Sequence, residues 1–210
     1  MYLSRLKLQA RLRTTRELRL NPYLLHQSVY HAFPDSEAGG PGRILYRLDI
    51  DRQGRVSLLV QSEKEPDWNK AELLQDCLLE AAACKPVSFS FKHGQTFYFR
   101  LRANPSAKKQ GEGKRNGYRL GLLREEDQLK WLTHKAGSGG FALLSCLAIP
   151  EGMVHNEKGK NGGKLRHYAV RFEGVLRVLS PQLFGETIRN GVGAAKGFGF
   201  GLLSVAPLGG

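Results

Sequence analysis

Residues 44–61 read ILYRLDIDRQGRVSLLVQ, and this stretch decides the fold of the first half of the chain. Two runs rich in Ile, Leu and Val, Ile44–Ile50 and Val56–Gln61, flank a polar segment that contains Gly54. Apolar runs joined by a short glycine-containing segment are typical of a β-hairpin. We therefore predict two adjacent antiparallel strands here.

The segments on either side of the hairpin extend it to a six-element unit. Tyr2–Leu8 alternates with period two and predicts a strand. Asn21 and Pro22 supply an N-cap and a first-turn proline, and Pro34 ends the helix that they begin. The remaining segments predict a basic connection, a second helix and a closing strand, over Arg11–Arg19, Ala71–Ala83 and Val87–Phe91. The order βαββαβ is that of a ferredoxin-like domain.

A second unit of the same order begins at Thr96. Its predicted helices are Glu125–Ala136 and Pro181–Arg189, and its later strands are Gly140–Ile149, Arg166–Leu179 and Gly201–Ala206. A polar loop over Asn104–Arg119 and a hairpin tip over Glu151–Lys164 connect these elements. The predicted fold class is α+β, with two tandem ferredoxin-like (RRM-like) domains over residues 1–92 and 96–210.

The charge of the chain points to its partners. Among 210 residues, 32 Lys and Arg stand against 19 Asp and Glu, which gives a formal net charge of +13. Such an excess favours a polyanionic partner, nucleic acid above all, although ribosomal and membrane-surface proteins share it. No apolar run approaches the ~18 residues of a membrane span, so we expect no membrane contact.

Cysteine usage fits a cytoplasmic protein. Cys77, Cys84 and Cys146 form no C-x-x-C pair and lie far in sequence from any histidine-rich cluster. Neither a zinc site nor a disulfide framework is therefore expected, and a reducing cytoplasm fits this pattern.

A glycine-rich tract, GVGAAKGFGFGLL over residues 191–203, stands close to the end of the sequence. Glycine lets the backbone approach a ligand, so successive N–H groups can converge on a phosphate. A P-loop is excluded because Lys196 is followed by Gly197 rather than Ser or Thr, and a dinucleotide fold needs a further strand behind the tract. The alternative is a flexible terminal linker.

Acid–base chemistry has one candidate group on the first predicted helix. Tyr23, His26 and Tyr30 lie at positions i, i+3 and i+7, on one side of the helix. A histidine with a near-neutral pKa between two phenols can donate or accept a proton, although it can equally be a packed surface histidine. His31 lies about 140° further round the helix, which favours a structural role.

Asp49 and Asp51 offer a metal-dependent alternative, because residues two apart on a strand point the same way. No third acidic residue lies nearby, and Asp51 begins a turn where Asp is common. The basic segments suggest a nucleic-acid footprint instead: Arg11–Arg19, Lys108–Arg119 and Lys158–Arg166.

Four motifs occur in order along the chain: Tyr2–Arg5, Asn21–His26, Tyr98–Pro105 and Gly191–Pro207. Together they resemble the CasE (Cse3) family, the CRISPR-associated endoribonucleases of type I-E systems and subunits of Cascade. The resemblance spans nearly the whole chain. It implies tandem ferredoxin-like domains that cut the repeat stem-loop of a CRISPR transcript without a metal or cofactor. The ribose 2′-hydroxyl attacks the adjacent phosphate and leaves 5′-hydroxyl and 2′,3′-cyclic phosphate ends, and the product hairpin is retained within Cascade.

The resemblance also implies the site residues. Tyr23 and His26 fall on the catalytic tyrosine and histidine of the family, with His26 acting as either base or acid. No small-molecule substrate is expected. RNA contacts are expected from the glycine-rich loop and from basic side chains: Arg13, Arg16, Arg102, Lys158, Lys160, Lys164, Arg166, Gly191, Gly193, Lys196, Gly197 and Gly199. The competing hypotheses are a non-catalytic RRM-like RNA-binding protein and a metal-dependent nuclease at Asp49 and Asp51.

Overall fold

A computed structural model describes residues 1–35, 39–109, 118–157 and 164–208. In chain order the elements are β1 (Tyr2–Leu8), α1 (Arg13–Leu20), α2 (Pro22–Tyr30), β2 (Ile44–Ile50), β3 (Val56–Ser62), α3 (Glu72–Gln75), β4 (Ala83–Pro86), β5 (Thr96–Ala103), β6 (Ser106–Lys109), β7 (Tyr118–Gly121), α4 (Glu125–Ser138), β8 (Phe141–Glu157), β9 (Lys164–Val178), α5 (Pro181–Asn190) and β10 (Leu203–Pro207). Two short 3-10 turns add Trp68–Lys70 and Lys196–Phe198.

These elements form two compact units. The first is built from the described parts of Met1–Phe89 and His155–Leu165 together with Lys196–Leu202. The second is built from Ser90–Val154, Arg166–Ala195 and the residues from Leu203 onward, again within the described ranges. The glycine-rich tract therefore contributes to both units.

The sheet of the first unit has the strand order β2–β3–β1–β4. Its strands are antiparallel, and Leu58 of β3 lies opposite Leu6 of β1 and Leu48 of β2. Leu6, Leu58 and Val60 are buried, because alternate side chains of a strand face the same side. The strands predicted at Tyr2–Leu8, Ile44–Ile50 and Val56–Gln61 are confirmed.

The helices α1, α2 and α3 each contribute buried residues to the core of this unit. The predicted helix at Pro22 is confirmed as α2, which contributes Leu25 and Val29 to the core. The connection predicted over Arg11–Arg19 is wrong, since most of it forms α1. The sequence did not predict this helix because no side chain caps its start and its buried residues are only Thr15 and Leu18, too few to show an apolar period.

The prediction of a long helix over Ala71–Ala83 is also wrong. The helix α3 ends at Gln75, and β4 occupies Ala83–Pro86 rather than Val87–Phe91. Strand β1 explains the early end, because the Gln9 N–H donates to the Cys77 carbonyl at 2.8 Å and the Leu79 N–H donates to the Lys7 carbonyl at 2.9 Å. Backbone groups that pair with a strand cannot continue a helix.

The second unit repeats the arrangement with the strand order β10–β5–β9–β8. When the four strands of each sheet are numbered in chain order, the first and third lie at the centre of both sheets and the second and fourth lie at the edges. The chain is therefore an α+β protein with two ferredoxin-like units, as predicted. The core of the second unit includes Phe99, Leu101, Phe172, Leu132 and Ile188.

Two connections of the second unit differ from the prediction. The stretch predicted as a polar loop over Asn104–Arg119 contains strand β6 and the start of strand β7, which pair with each other. The strand predicted at Gly140–Ile149 continues as β8 to Glu157, so the described residues of the stretch predicted as a hairpin tip, Glu151–Lys164, belong to strands. Within the described ranges, every helix is too short or too polar to span a lipid bilayer.

Candidate active site

The start of α2 fixes the position of the predicted catalytic pair, Tyr23 and His26. The Asn21 side chain accepts a hydrogen bond from the Leu24 N–H at 3.1 Å, and Pro22 occupies the first turn. A capped start with proline in the first turn determines where the helix begins. Because 3.6 residues make one turn, it also determines the face on which Tyr23 and His26 stand.

The imidazole of His26 packs on Tyr30. Their ring centroids are 4.1 Å apart and the planes are tilted by 47°. The hydroxyl of Tyr23 accepts a long hydrogen bond of 3.5 Å from the Gln27 amide. Both contacts join residues four apart, as expected on a helix surface. Tyr30 is thus the aromatic neighbour that orients His26, whereas His31 is exposed at the end of the helix.

Burial controls the protonation of His26. The side chain is half-buried, and this loss of water lowers its pKa below the ordinary value of 6.5. The backbone of Gly197 acts in the opposite direction, although no hydrogen bond of normal geometry reaches the buried Nδ1 atom within the described residues. Since burial is the larger effect, the neutral form of the imidazole predominates at pH 7.

The 3-10 turn Lys196–Phe198 provides the other wall beside His26. A methyl group added to Gly197 would lie 3.5 Å from Cε1 and 3.6 Å from Nδ1 of the imidazole. These distances are ordinary van der Waals contacts. The glycine-rich tract therefore runs against the face of α2 that carries the predicted catalytic histidine.

The conformation of the tract explains its composition. Gly191, Gly193, Gly199 and Gly201 have positive φ angles of 72°, 83°, 76° and 88°, and Ala195 has a φ of 62°. This region of φ is disfavoured for residues with a Cβ atom. Gly191 and Gly193 belong to the second unit, whereas Lys196, Gly197 and Gly199 belong to the first. Only the latter group accompanies Tyr23 and His26 in one unit.

Tyr46 is a site residue that sequence reasoning missed. It is fully buried in β2, and its hydroxyl donates a 2.7 Å hydrogen bond to the Gly197 carbonyl. No local pattern could reveal this contact, because the two residues are 151 positions apart. In the sequence, Tyr46 is distinguished as the aromatic residue of a strand whose other residues are aliphatic or charged.

A surface groove near the start of α2 was also missed. It has a volume of about 380 Å³ and is lined by Glu17, Leu20, Asn21, Leu24 and His155, all of the first unit. Leu20 is 81% exposed, which is a high value for a leucine. The groove combines apolar and hydrogen-bonding groups one turn before His26.

The two aspartates proposed as metal ligands are engaged by arginines. Both carboxylate oxygens of Asp49 accept from Arg47 Nε, at 2.8 and 3.0 Å. Asp51 pairs with Arg55, whose side-chain hydrogen bond lowers the pKa of the carboxyl group, and it also accepts from the Gln53 and Arg55 N–H groups. Within the described ranges, no three His, Cys, Asp or Glu side chains cluster with metal-binding geometry.

The predicted RNA-binding side chains are distributed over both units. In the first unit, Arg13 and Arg16 stand exposed on α1, and Arg13 pairs with Glu17 at 2.8 Å. In the second unit, Arg166 is exposed near the start of β9, whereas Arg102 is paired with Glu151 at 2.6 Å. Lys164 is the first residue of β9. Lys158 and Lys160 lie outside the described residues.

The face of the second sheet opposite its core carries ion pairs. Arg100 pairs with Glu173 at 2.6 Å, and Arg171 lies within 3.7 Å of Glu151 and 3.5 Å of Glu173. Tyr98, 54% exposed, is the aromatic residue of β5 that stands on this face. RRM-type recognition stacks two or three bases on sheet aromatics, so this face resembles such a platform poorly.

The sequence is similar to CRISPR-associated proteins over nearly its whole length. A family model described as a CRISPR associated protein matches residues 1–207. The CRISPR-associated endoribonuclease Cse3 of Thermus thermophilus is 34% identical over 99% of this chain and 100% of its own length. The CRISPR system Cascade subunit CasE of Escherichia coli is 28% identical over 89% of this chain and 92% of its own length.

Among solved structures, a CRISPR endoribonuclease Cse3 bound to a 19-nucleotide RNA superposes with a TM-score of 0.84. It is 33% identical, and the match covers 99% of this chain and 100% of the solved one. The similarity therefore includes both ferredoxin-like units and the tract between α5 and β10.

Proposed function

Because the chain belongs to this CRISPR-associated protein family, we propose that it is an endoribonuclease that processes CRISPR RNA. The family relatives named as endoribonuclease Cse3 and as Cascade subunit CasE support this proposal. The observation that carries it is the half-buried His26 beside the glycine-rich turn, where burial lowers the pKa of the imidazole. This pairing places a proton acceptor next to backbone that can approach a phosphate.

The proposed reaction is an internal transesterification. The ribose 2′-oxygen attacks the adjacent phosphorus while the bond from phosphorus to the 5′-oxygen breaks. One proton leaves the 2′-hydroxyl, and one proton reaches the departing 5′-oxygen. The products are a 2′,3′-cyclic phosphate and a 5′-hydroxyl, and neither a metal ion nor water takes part in bond formation.

We assign His26 as the base that takes the 2′-hydroxyl proton. A lowered pKa leaves the imidazole neutral, which is the form that accepts a proton. Tyr23, on the same helix, would position the ribose or share the proton transfer. General acid–base assistance is worth about 10²–10⁴-fold, and alignment of the attacking and leaving oxygens supplies further acceleration.

We assign binding of the RNA to exposed arginine side chains and to the backbone of the glycine-rich loop. Arg13 and Arg16 on α1, and Arg166 on β9, are exposed guanidinium groups that can pair with phosphates. The loop residues Lys196, Gly197 and Gly199 would contact phosphate beside the cleaved bond. Arg102 would reach RNA only by exchanging its partner Glu151.

The substrate is the repeat stem-loop of the CRISPR transcript, and the cut product stays bound within Cascade. A solved Cse3 structure described as bound to a 19-nucleotide RNA, together with the relative named as a Cascade subunit, supports these two assignments. The protein would bind this RNA in the cytoplasm, which is the location that the cysteine content predicts.

The decisive experiment incubates the protein with a repeat stem-loop RNA in excess EDTA and identifies the ends. Cleavage that yields a 2′,3′-cyclic phosphate, and that stops when a single 2′-deoxyribose precedes the cut, supports the proposal. Binding without cleavage would instead indicate a non-catalytic RNA-binding protein. Cleavage abolished by EDTA, or fragments with a 5′-phosphate, would identify a metal-dependent nuclease and contradict the proposal.

A further inference from the structure

Two neighbouring residues of β2 bind the same short segment of the glycine-rich tract. The Tyr46 hydroxyl donates to the Gly197 carbonyl at 2.7 Å. One guanidinium nitrogen of Arg47, Nη1, lies 3.4 Å from the Leu202 carbonyl and donates to it. Residues 196–202 are thus attached near both ends to one strand of the first unit.

Both anchoring side chains are buried, which makes these bonds hard to exchange for water. Tyr46 is fully buried, and a buried phenol hydroxyl requires an acceptor; the Gly197 carbonyl provides it. Arg47 is 4% exposed, and its Nε–H is shared between both carboxylate oxygens of Asp49, which fixes the orientation of the guanidinium.

The anchored segment is in turn packed against the candidate base. Gly199 lies over the ring of Tyr46, where an added methyl group would be 3.3 Å from Cε2. Gly197 lies over the ring of His26, at 3.5 Å by the same measure. The turn therefore occupies the space between the buried tyrosine and the half-buried imidazole.

We propose that Tyr46 is a positioning residue for RNA cleavage, whose hydroxyl fixes the Gly197 carbonyl and thereby holds the turn against the His26 ring. Tyr46 acts through the turn and does not touch the reacting atoms. The inference rests on the proposed function, because it assigns Tyr46 a role in that reaction. Arg47 has the companion role of holding the Leu202 end of the segment.

Holding the turn has two consequences for His26. It excludes water from one side of the imidazole, which contributes to the burial that keeps the ring neutral. It also fixes where backbone groups of the turn meet a phosphate, and a shift of about 1 Å in such a group can cost up to ~10²-fold in rate. The ionisable group in contact with the imidazole is Tyr30 on the same helix, and the charge of Arg43 acts on Tyr30 in turn. Lys196 is the first residue of the turn.

The test is Tyr46→Phe, which removes the hydroxyl and keeps the ring that packs in the core of the first unit. Single-turnover cleavage of the repeat stem-loop by saturating protein is measured from pH 5 to 9, together with the dissociation constant. We expect cleavage at pH 7 to slow by about 10- to 100-fold while the dissociation constant changes less than about threefold. The midpoint of the pH–rate profile should move upward. Tyr98→Phe, at an exposed position of the second unit, is the matched control and should cleave like the wild type.

A second readout does not depend on cleavage. Titration of the His26 imidazole by NMR in the RNA-free protein should give a higher pKa in Tyr46→Phe than in the wild type. If the wild type cuts no RNA, the proposed function fails, and this titration still tests whether Tyr46 controls His26. An unchanged rate, an unchanged pH midpoint and an unchanged His26 titration would overturn the inference. So would a loss of cleavage that is fully explained by lost RNA binding.

Discussion

The imidazole of His26 and the phenol ring of Tyr30 lie against each other, with centroids 4.1 Å apart on successive turns of α2. Both groups are half-buried, and burial lowers the pKa of His26 and raises the pKa of Tyr30. Each ring is therefore held in its neutral form near pH 7. A neutral pair packs without the cost of burying a charge.

The cleavage rate should follow the neutral fraction of His26. Because burial lowers the pKa of His26 below 6.5, the neutral form dominates above that value and is lost as the pH falls through the lowered pKa. We expect the rate to be level from pH 7 upward and to fall below a midpoint that lies under 6.5. Single-turnover rates at saturating protein measure this profile. A rate that increases as the pH falls from 7 to 5 would assign His26 as the acid instead.

The same pKa shift predicts a change in stability. A histidine whose folded pKa is lowered leaves the free energy of unfolding undiminished at pH values above its unfolded pKa. As the pH falls towards the folded pKa, the unfolded chain binds the proton more readily than the folded one, and stability is lost. His26→Gln should therefore reduce the acid sensitivity of the melting temperature below pH 6.5. Thermal melts of both proteins between pH 5 and 8 provide the measurement, and parallel curves would contradict the assigned burial.

The two neighbouring histidines of α2 should behave differently on substitution. His26→Ala should slow cleavage by about 10²–10⁴-fold and leave stem-loop affinity nearly unchanged, because it removes the proton acceptor. His31→Ala is the matched control, since this side chain is exposed at the end of the helix. We expect its rate to stay within about twofold of the wild type. A normal rate for His26→Ala would reduce His26 to a packing residue.

Strand prediction succeeded where the local sequence decides the structure. The β2–β3 hairpin follows from alternating apolar residues around Gly54, and the start of α2 follows from Asn21 and Pro22. The stretch after Gln75 could not be predicted in this way. Its backbone groups pair with Lys7 of β1 and with Gln9, which directly follows β1. Both residues are distant in sequence, and such tertiary contacts override the local helical pattern.

In the candidate site, too, the features set by local sequence were predictable and the contacts between distant residues were not. Helix geometry alone places Tyr23, His26 and Tyr30 on one side, and the composition of the tract alone predicts unusual backbone angles. Gly197 lies beside His26 and accepts a hydrogen bond from Tyr46, and no local spacing connects these three residues. The division into domains over residues 1–92 and 96–210, and the RNA contacts of individual side chains, stay predictions.

Two glycines of the tract should differ in how they tolerate a methyl group. Gly199 has a φ of 76° and would place the new Cβ 3.3 Å from the Tyr46 ring, so Gly199→Ala is strained in backbone and in packing. We expect a loss of about 1–2 kcal/mol, which lowers the melting temperature by roughly 3–6 °C. Gly197→Ala is the control, because its Cβ would lie at an ordinary 3.5 Å from His26. Its stability should stay within about 0.5 kcal/mol, and equal melting temperatures for the two variants would contradict the described loop.

The aspartates of β2 and of the following turn offer a further matched pair, Asp49→Asn and Asp51→Asn. Arg47 is 4% exposed, and its Nε donates to both carboxylate oxygens of Asp49. Asp49→Asn removes the carboxylate charge that lies beside this buried guanidinium. We expect a loss of about 2 kcal/mol, less than for a fully buried pair because Asp49 retains some contact with water. Asp51 lies at the surface with Arg55, so Asp51→Asn should melt almost like the wild type.

The pair also separates a structural role from metal binding. If the aspartates held a catalytic metal, both variants would lose cleavage, and added Mg²⁺ or Mn²⁺ would change the activity of the wild type. If Asp49 acts through Arg47, only Asp49→Asn should be destabilised. Its cleavage should then be slower than that of the wild type, because the Leu202 end of segment 196–202 is held less firmly, and EDTA should not change this difference. Thermal melts and single-turnover rates of the two variants, measured in parallel with and without EDTA, decide between these outcomes.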